Sequence, residues 1–363
     1  MGLIRGGDLI VISCVADNLS AITHKIVIIR CDLNVPLNHN KLLDGTRIKV
    51  LQPLINMCQQ QKATIILISH FGNPKEFDPA YSMQQVLPFL PWPVTLLSDL
   101  KRPLNDGRIY LLENLRFFSG EKSKDPVFAN QLAKMGDVYV NEAFSVCHRD
   151  HASITLLPKL LPSYCGPHLA KEIATLQHIV KMKSHPIVFI TGGAKTETKM
   201  PYLEPILKHV DNMIVGGAFV SMFFDENNSE AQKLLSKYRH KIILPKDVVR
   251  DEKGAILDLG PESIIQNAEI IRQAKLIIWN GVLGKIEQKP YDMATKALVD
   301  AIQLNPIVQL IVGGGTTIGV INPNMLQLYH VSTGGGAFLE YYAHHKLVGV
   351  EALANHRRLT TSY

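Results

Sequence analysis

The stretch Pro186-Ile187-Val188-Phe189-Ile190-Thr191-Gly192-Gly193-Ala194-Lys195-Thr196-Glu197-Thr198-Lys199 decides the fold class. Its opening run, through Thr191, is apolar and β-branched with no polar alternation, as expected of a strand covered on both faces. A glycine doublet ends the run, and two lysines follow, four residues apart. If a helix starts here, Lys195 and Lys199 share one face of it. Such a lysine can follow a moving phosphoryl group as a point charge; the alternative is a pair of solvated lysines. The G-x-x-x-x-G-K-S/T spacing of a P-loop is absent.

Flat apolar runs of the same kind recur on both sides of this stretch. Lys25 to Arg30, Ala63 to Ser69, Ile109 to Leu112 and Asp137 to Asn141 precede it; Asn212 to Val215, Ile242 to Leu244, Leu276 to Trp279 and Ile307 to Val312 follow. Strands alternating with helical stretches predict an α/β protein with parallel sheets and right-handed crossovers. Between the two series, Pro167 to Val180 has helical spacing, with Leu169, Ile173, Leu176 and Val180 on one face. It reads as an interdomain connector, either a hinge or a plain surface helix. Asp225 to Glu230 is polar enough to be a loop.

Three more glycine clusters follow strand ends: Gly216-Gly217, Gly313-Gly314-Gly315 and Gly334-Gly335-Gly336. Tight turns explain any one doublet. Four at the carboxyl edge of one sheet read as an anion site, because ligands of open α/β sheets bind at that edge. Glycine lets backbone N–H groups approach phosphate oxygens, and a following helix adds its positive end.

Bulk properties narrow the function. With 363 residues, the chain exceeds the roughly 100–200 of one domain, so two domains are expected. No apolar run long enough for a membrane span and no secretory leader pattern is read. Five scattered cysteines without a C-x-x-C pair suit buried free thiols in a reducing cytoplasm. The net charge of +6 comes without a Lys/Arg-rich run, which argues against nucleic acid.

The first half carries Arg30, Arg47, Arg116 and Arg149 at or beyond strand ends or helix starts, with His70, His148 and His151 in similar places. Arginine forks bind carboxylate and phosphate, so these either form a basic cluster for a small phosphorylated acid or are unrelated surface residues. Asp32 and Asn34, at alternate positions after Arg30, either accept hydrogen bonds from a substrate hydroxyl or cap a turn.

At this point the residues resemble the phosphoglycerate kinase family. Arg30-Cys31-Asp32-Leu33-Asn34-Val35-Pro36 matches its R-x-D-x-N-V-P signature. The likeness continues in order through Asp44 to Ile48, Ser69 to Pro74, Leu112 to Phe117, Val138 to Ser153, Gly192 to Lys199, Leu244 to Asp247, Asp258 to Pro261, Trp279 to Gly281 and Val331 to Ala337. The resemblance implies two Rossmann-like lobes with parallel sheets joined by a helical hinge. The expected organisation is residues 1–165 for phosphoglycerate, 166–182 as the hinge helix, 183–340 for nucleotide, and a tail at 341–363 returning to the first lobe. The implied reaction is reversible phosphoryl transfer between 1,3-bisphosphoglycerate and Mg-ADP, giving 3-phosphoglycerate and Mg-ATP, by a cytoplasmic monomer.

By the same resemblance, Asp32, Leu33, Asn34, Arg47, His70, Phe71, Gly72, Asn73, Arg116 and Arg149 bind the phosphoglycerate. Gly193, Ala194, Lys195, Lys199, Gly216, Gly217, Asn280, Glu287, Gly314, Gly315, Thr316 and Thr317 contact nucleotide or the transferring group. Arg47 and Lys195, with Gly335 and Gly336 at a helix N-terminus, stabilise the transition state. Lobe closure is expected to exclude water.

Several positions depart from the family pattern. Asn73 stands where H-x-G-R-P has its arginine, so one phosphate fork is lost, with Lys75 nearby as a point charge. Asn280 to Glu287 lacks the proline and aromatic of N-G-P-x-G-x-F-E, having Val282 and Ile286 instead. Thr316 replaces the aspartate of G-G-G-D-T, which is expected to help hold the nucleotide's magnesium; a neutral hydroxyl is a poorer partner for a hard cation. Ala218 replaces a third glycine, and the segments from Phe223 to Ile242 and Val249 to Asp258 are short. The primary reading is an active kinase. The second, prompted by Asn73 and Thr316, is a degenerate binding protein with weak or no catalysis. A dehydrogenase is a poor third, since no G-x-G-x-x-G opens a helix after a strand.

Overall fold

The computed structural model describes residues 2–5, 8–39, 41–182, 184–320, 328–332 and 334–360. The chain divides into two compact units: Met1–His178 with His345–Tyr363, and Ile179–His344.

The first unit is built on a six-stranded parallel sheet: β1 (Ile26–Arg30), β2 (Thr64–Ile68), β3 (Val94–Leu97), β4 (Ile109–Leu112), β5 (Val138–Asn141) and β6 (Ser163–Cys165). The strand order is β6-β5-β1-β2-β4-β3. Every residue of β1, β2, β4 and β5 is buried, which is why those runs show no alternation. Helix α1 (Gln52–Gln60) buries Leu54, Ile55 and Cys58 in the core with Val27, Ile29, Ile65 and Leu67. Helix α2 (Pro126–Ala133) starts at Asp125, whose carboxylate accepts from Val127 N at 2.9 Å.

The connector forms helix α3 (Pro167–Lys181). Leu169, Ile173 and Leu176 are buried as the spacing predicts, but the fourth buried position is Ile179 rather than Val180. Its first turn is capped from outside: His168 N and Leu169 N donate to the two carboxylate oxygens of Glu142, at 2.9 and 3.0 Å. Burial still pushes the Glu142 carboxyl up to about 8 despite these donors.

The second unit repeats the plan with β7 (Ile187–Thr191), β8 (Asn212–Val215), β9 (Ile242–Ile243), β10 (Leu276–Asn280), β11 (Gln309–Gly313) and β12 (Leu328–Ser332). All pairs are parallel, in the order β9-β8-β7-β10-β11-β12. The order runs outward from β7, so the switch point lies between β7 and β10, where the chain leaves the two strands toward opposite sides of the sheet. Helices α4 (Met200–Leu207), α5 (Ala218–Phe224), α6 (Gly315–Val320) and α7 (Gly335–His344) follow β7, β8, β11 and β12. The polar Asp225–Glu230 segment is only partly a loop. A helix begins at Ser229, because Asn228 accepts from Ala231 N at 3.0 Å and caps it. No helix among the described residues is long and apolar enough to cross a membrane.

Candidate active site

Each unit gathers candidate site residues at the carboxyl ends of its strands. In the first, the chain leaves β1 through a turn fixed by its own polar groups. Asp32 Oδ1 accepts from Asn34 N at 3.1 Å, so Asp32 does make the turn that its residue type suggests. Arg47, on the helical turn Thr46–Lys49, donates to Asp32 Oδ1 at 3.1 Å and to the Asn34 carbonyl at 2.6 Å. Ser145 Oγ donates to the other oxygen of Asp32. Leu33 N is held by Ser69 Oγ at 2.9 Å, and Gly72 N donates to Asn34 Oδ1 at 2.8 Å. The turns after β1 and β2 are therefore tied together, and Arg47 is aimed by two acceptors.

Asn114 does for the next turn what sequence reading did not foresee. It is fully buried, its amide nitrogen donates to the carbonyls of Phe71 and Tyr81 at 2.7 and 2.8 Å, and its oxygen accepts from Phe71 N and Arg116 N. One side chain thus positions both the His70–Gly72 turn and the start of the Arg116 segment. Its place within Leu112 to Phe117 was the only signal.

Around these turns the predicted arginines and histidines make one electrostatic field. Arg30 is not a surface group: it is 1% exposed and donates to Ser153 Oγ at 3.1 Å and to the Cys31 carbonyl. Ser153 passes the link on to Glu121 Oε1 at 2.6 Å, so Arg30 and Glu121 compensate each other through a hydroxyl. Arg30 Nη2 also lies 3.4 Å from His70 Nδ1. Burial first, and then Arg30, Arg116, Arg149 and Arg47, hold His70 well below the usual histidine range. His151 is pushed down to about 4 by burial and by Arg116, Arg149 and Arg30. Both histidines are neutral at pH 7. Burial and then Arg149 and Arg30 lower the Arg116 guanidinium as well, the mark of cations held close together. Arg149 is exposed. Asn73 is exposed too, and its Oδ1 accepts from Arg116 Nη1 and from Lys122 Nζ.

In the second unit the glycine turns lock onto one another. Gly193 N donates to the Val282 carbonyl at 2.8 Å, Gly217 N to Leu283 O at 2.6 Å, and Ala218 N to Gly193 O at 3.1 Å. The turns after β7, β8 and β10 therefore form one unit, and Val282 contributes through its backbone where the family pattern has a proline. Gly216 packs against Leu283. Helix α4 starts only at Met200, so Lys195 and Lys199 do not share a helix face; residues 194–199 form the turn before it. Lys199 folds back, donating Nζ to the carbonyls of Gly192 and Asn280 at 2.8 and 2.9 Å. Burial and the charge of Lys195 bring it down to about 8. Lys195, Ala194 and Glu287 are exposed.

Asn280 lies at the switch point. It is 3% exposed, and its amide nitrogen has no hydrogen-bond partner. That nitrogen faces the backbone of Gly313, Gly314 and Gly335, and a Cβ on Gly335 would lie 3.3 Å from Gly314 Cα. A buried donor beside bare glycine backbone at the start of α7 suits an anion's oxygens. Gly336 is exposed on the first turn of α7, and Gly315 at the start of α6. Thr317 is buried, with its Oγ1 accepting from Gly281 N at 2.8 Å. Thr316 is in α6, but its side chain lies outside the described residues.

The chain is similar throughout to known proteins of one family. The model of the family described as phosphoglycerate kinase matches residues 17–344. The phosphoglycerate kinases of Zymomonas mobilis and Methylorubrum extorquens are 33% and 34% identical to the chain, each over 93% of it and over 98% and 97% of their own lengths. Among solved structures, phosphoglycerate kinase from Coxiella burnetii aligns with a TM-score of 0.77 at 31% identity, covering 92% of this chain and 97% of that one. The Pyrococcus horikoshii phosphoglycerate kinase structure gives 0.82 at 25% identity over 95% and 99%.

Proposed function

The chain belongs to the phosphoglycerate kinase family, and we propose that it transfers a phosphoryl group reversibly between 1,3-bisphosphoglycerate and Mg-ADP, giving 3-phosphoglycerate and Mg-ATP. The first unit takes the phosphoglycerate and the second the nucleotide. The observation that carries the reading is the concentration of Arg47, Arg116 and Arg149 with two neutral histidines around the turns after β1 and β2. Such a field suits a small, multiply charged acid.

In the forward direction a terminal phosphate oxygen of ADP forms the new bond to phosphorus while the acyl-phosphate P–O bond breaks, leaving the carboxylate of 3-phosphoglycerate. Both leaving and attacking groups are already anionic, so no general base is required. The residues instead position and neutralise charge. Arg47, aimed by Asp32 and Asn34, neutralises the carboxylate as it is released. Lys195 follows the transferring group as a point charge. Lys199 is held by two carbonyls and keeps the Gly192 turn against β10. Gly193, Gly314 and Gly315 leave room for phosphate oxygens, Gly216 and Gly217 let the turns after β7, β8 and β10 close on one another, Asn280 donates to one such oxygen, and Gly335 and Gly336 present the N–H groups of α7. Magnesium enters as part of the nucleotide substrate. Among the described residues no group of three His, Cys, Asp or Glu side chains gathers as a metal site.

Relatives that match over nearly their whole length, together with Arg47, Lys195 and Lys199 in place, speak for the active enzyme over a degenerate binding protein. The five cysteines are all free and buried, which supports a cytoplasmic setting, and a monomer is the family tendency. The test is turnover of 3-phosphoglycerate and Mg-ATP in an assay coupled to NADH oxidation. Turnover abolished by Lys195→Ala supports the reading. No turnover, with calorimetric binding of 3-phosphoglycerate alone, overturns it in favour of the degenerate form.

A further inference from the structure

A neutral asparagine stands at position 73 where the family pattern has arginine, and two cations from another part of the chain meet on it. Asn73 Oδ1 holds Arg116 Nη1 on one side and Lys122 Nζ, 2.8 Å away, on the other. Lys122 closes the helical turn Ser119–Lys122, which the Arg116 segment leads into directly. The carbonyl oxygen of Asn73 therefore sets an ammonium beside a guanidinium. We propose that Lys122 is a phosphate-binding residue for the phosphoglycerate, supplying with Arg116 the positive charge that Asn73 does not. This rests on the kinase reading of the half-site and adds a residue to it.

Several features agree. Lys122 is lowered from the ordinary lysine range first by burial and then by Arg116 and Arg149, so its ammonium feels both arginine charges. Its oxygen partner is a neutral amide, which orients the ammonium without cancelling it. Two cations held around one amide oxygen repel each other, and an arriving dianion relieves that repulsion. Lys75, which sequence alone offers as the substitute, is not a donor to Asn73 Oδ1.

The test is calorimetric binding of 3-phosphoglycerate to the full chain, together with steady-state kinetics. Lys122→Ala is expected to weaken 3-phosphoglycerate binding about tenfold, the scale of one lost charge-assisted contact. The KM for Mg-ATP and the thermal midpoint stay unchanged, and Lys122→Arg binds like the parent. Adding Asn73→Arg to Lys122→Ala restores the affinity, and the same change tightens binding less in the parent, a dependence that a purely structural lysine would not show. Equal affinity in the parent and Lys122→Ala, or a double variant no tighter than Lys122→Ala, overturns the inference. Binding is read apart from turnover. A parent that binds but does not turn over, and loses binding with Lys122→Ala, overturns the kinase reading while supporting this assignment.

Discussion

Replacing Gly217 with alanine tests whether the nucleotide half-site depends on backbone meeting backbone. Gly217 has φ 56 and ψ −144, a conformation open essentially to glycine alone. A Cβ there would sit 2.5 Å from Gly193 N, 2.8 Å from Gly193 O and 3.1 Å from Gly193 Cα. None of these atoms belongs to a flexible side chain, so the clash is relieved only by moving the turn after β7. That turn is held by Gly193 N on Val282 O and by Ala218 N on Gly193 O. Backbone strain costs about 1–3 kcal/mol, and loosening one turn hydrogen bond adds about 1 kcal/mol. The sum, about 3 kcal/mol, lowers the unfolding midpoint by roughly 6–12 °C for a unit of this size. Because the displaced turn leads into Lys195, the KM for Mg-ATP should rise while the KM for 3-phosphoglycerate stays put. Gly315→Ala is the control: its Cβ would meet nothing within 4 Å and no positive φ is involved, so it should melt like the parent. A Gly217→Ala protein with the parental midpoint and the parental KM for Mg-ATP would refute the reasoning.

Three further outcomes are expected. Ser153→Ala removes the hydroxyl between Arg30 Nε and Glu121 Oε1 and leaves two buried charged groups each short of a partner; urea melts should show a loss of about 2–4 kcal/mol. Glu142 has a folded-state value of about 8 against an ordinary 4.5, so the folded chain holds a proton that the unfolded chain has released. Its contribution to stability is full below about pH 4.5 and is lost as pH rises through about 8, so the parent should lose stability relative to Glu142→Gln across that window; a constant difference between the two would contradict this. Lys199 titrates near 8, so nucleotide affinity measured by calorimetry should weaken as pH rises from 7 to 9, and Lys199→Met should lack that slope.

Much of the fold was legible because buried parallel strands leave flat apolar runs, and Ile26–Arg30 or Leu276–Asn280 can hardly be read otherwise. In the two six-stranded sheets, the strands that escaped notice are those where this signature fails. Val94–Leu97 lies at the sheet edge and is only half-buried, and Ser163–Cys165 is three residues long. The helix expected at Lys195 begins later because both backbone groups of Gly193 are committed to neighbouring turns, its N–H to Val282 and its carbonyl to Ala218, a constraint no local pattern records. In the site, residue types and order pointed to Arg47, Arg116 and Asn280, but not to what aims them. Asn114 gathers Phe71 and Tyr81 from distant segments, and Lys122 meets Asn73 across 49 residues. Such roles exist only once the turns are brought together.

The unpartnered amide of Asn280 has a consequence for the protein without ligand. A donor shut away from water with no acceptor raises the free energy of the native state by about 1–3 kcal/mol. On the proposed nucleotide reading, an incoming phosphate oxygen at this point would supply the acceptor that Asn280 lacks. On that reading nucleotide is more than a guest in a finished cavity: it would satisfy a donor of the second unit's own interior. Each turnover of the proposed reaction would then alternately meet and reopen the need of this one donor.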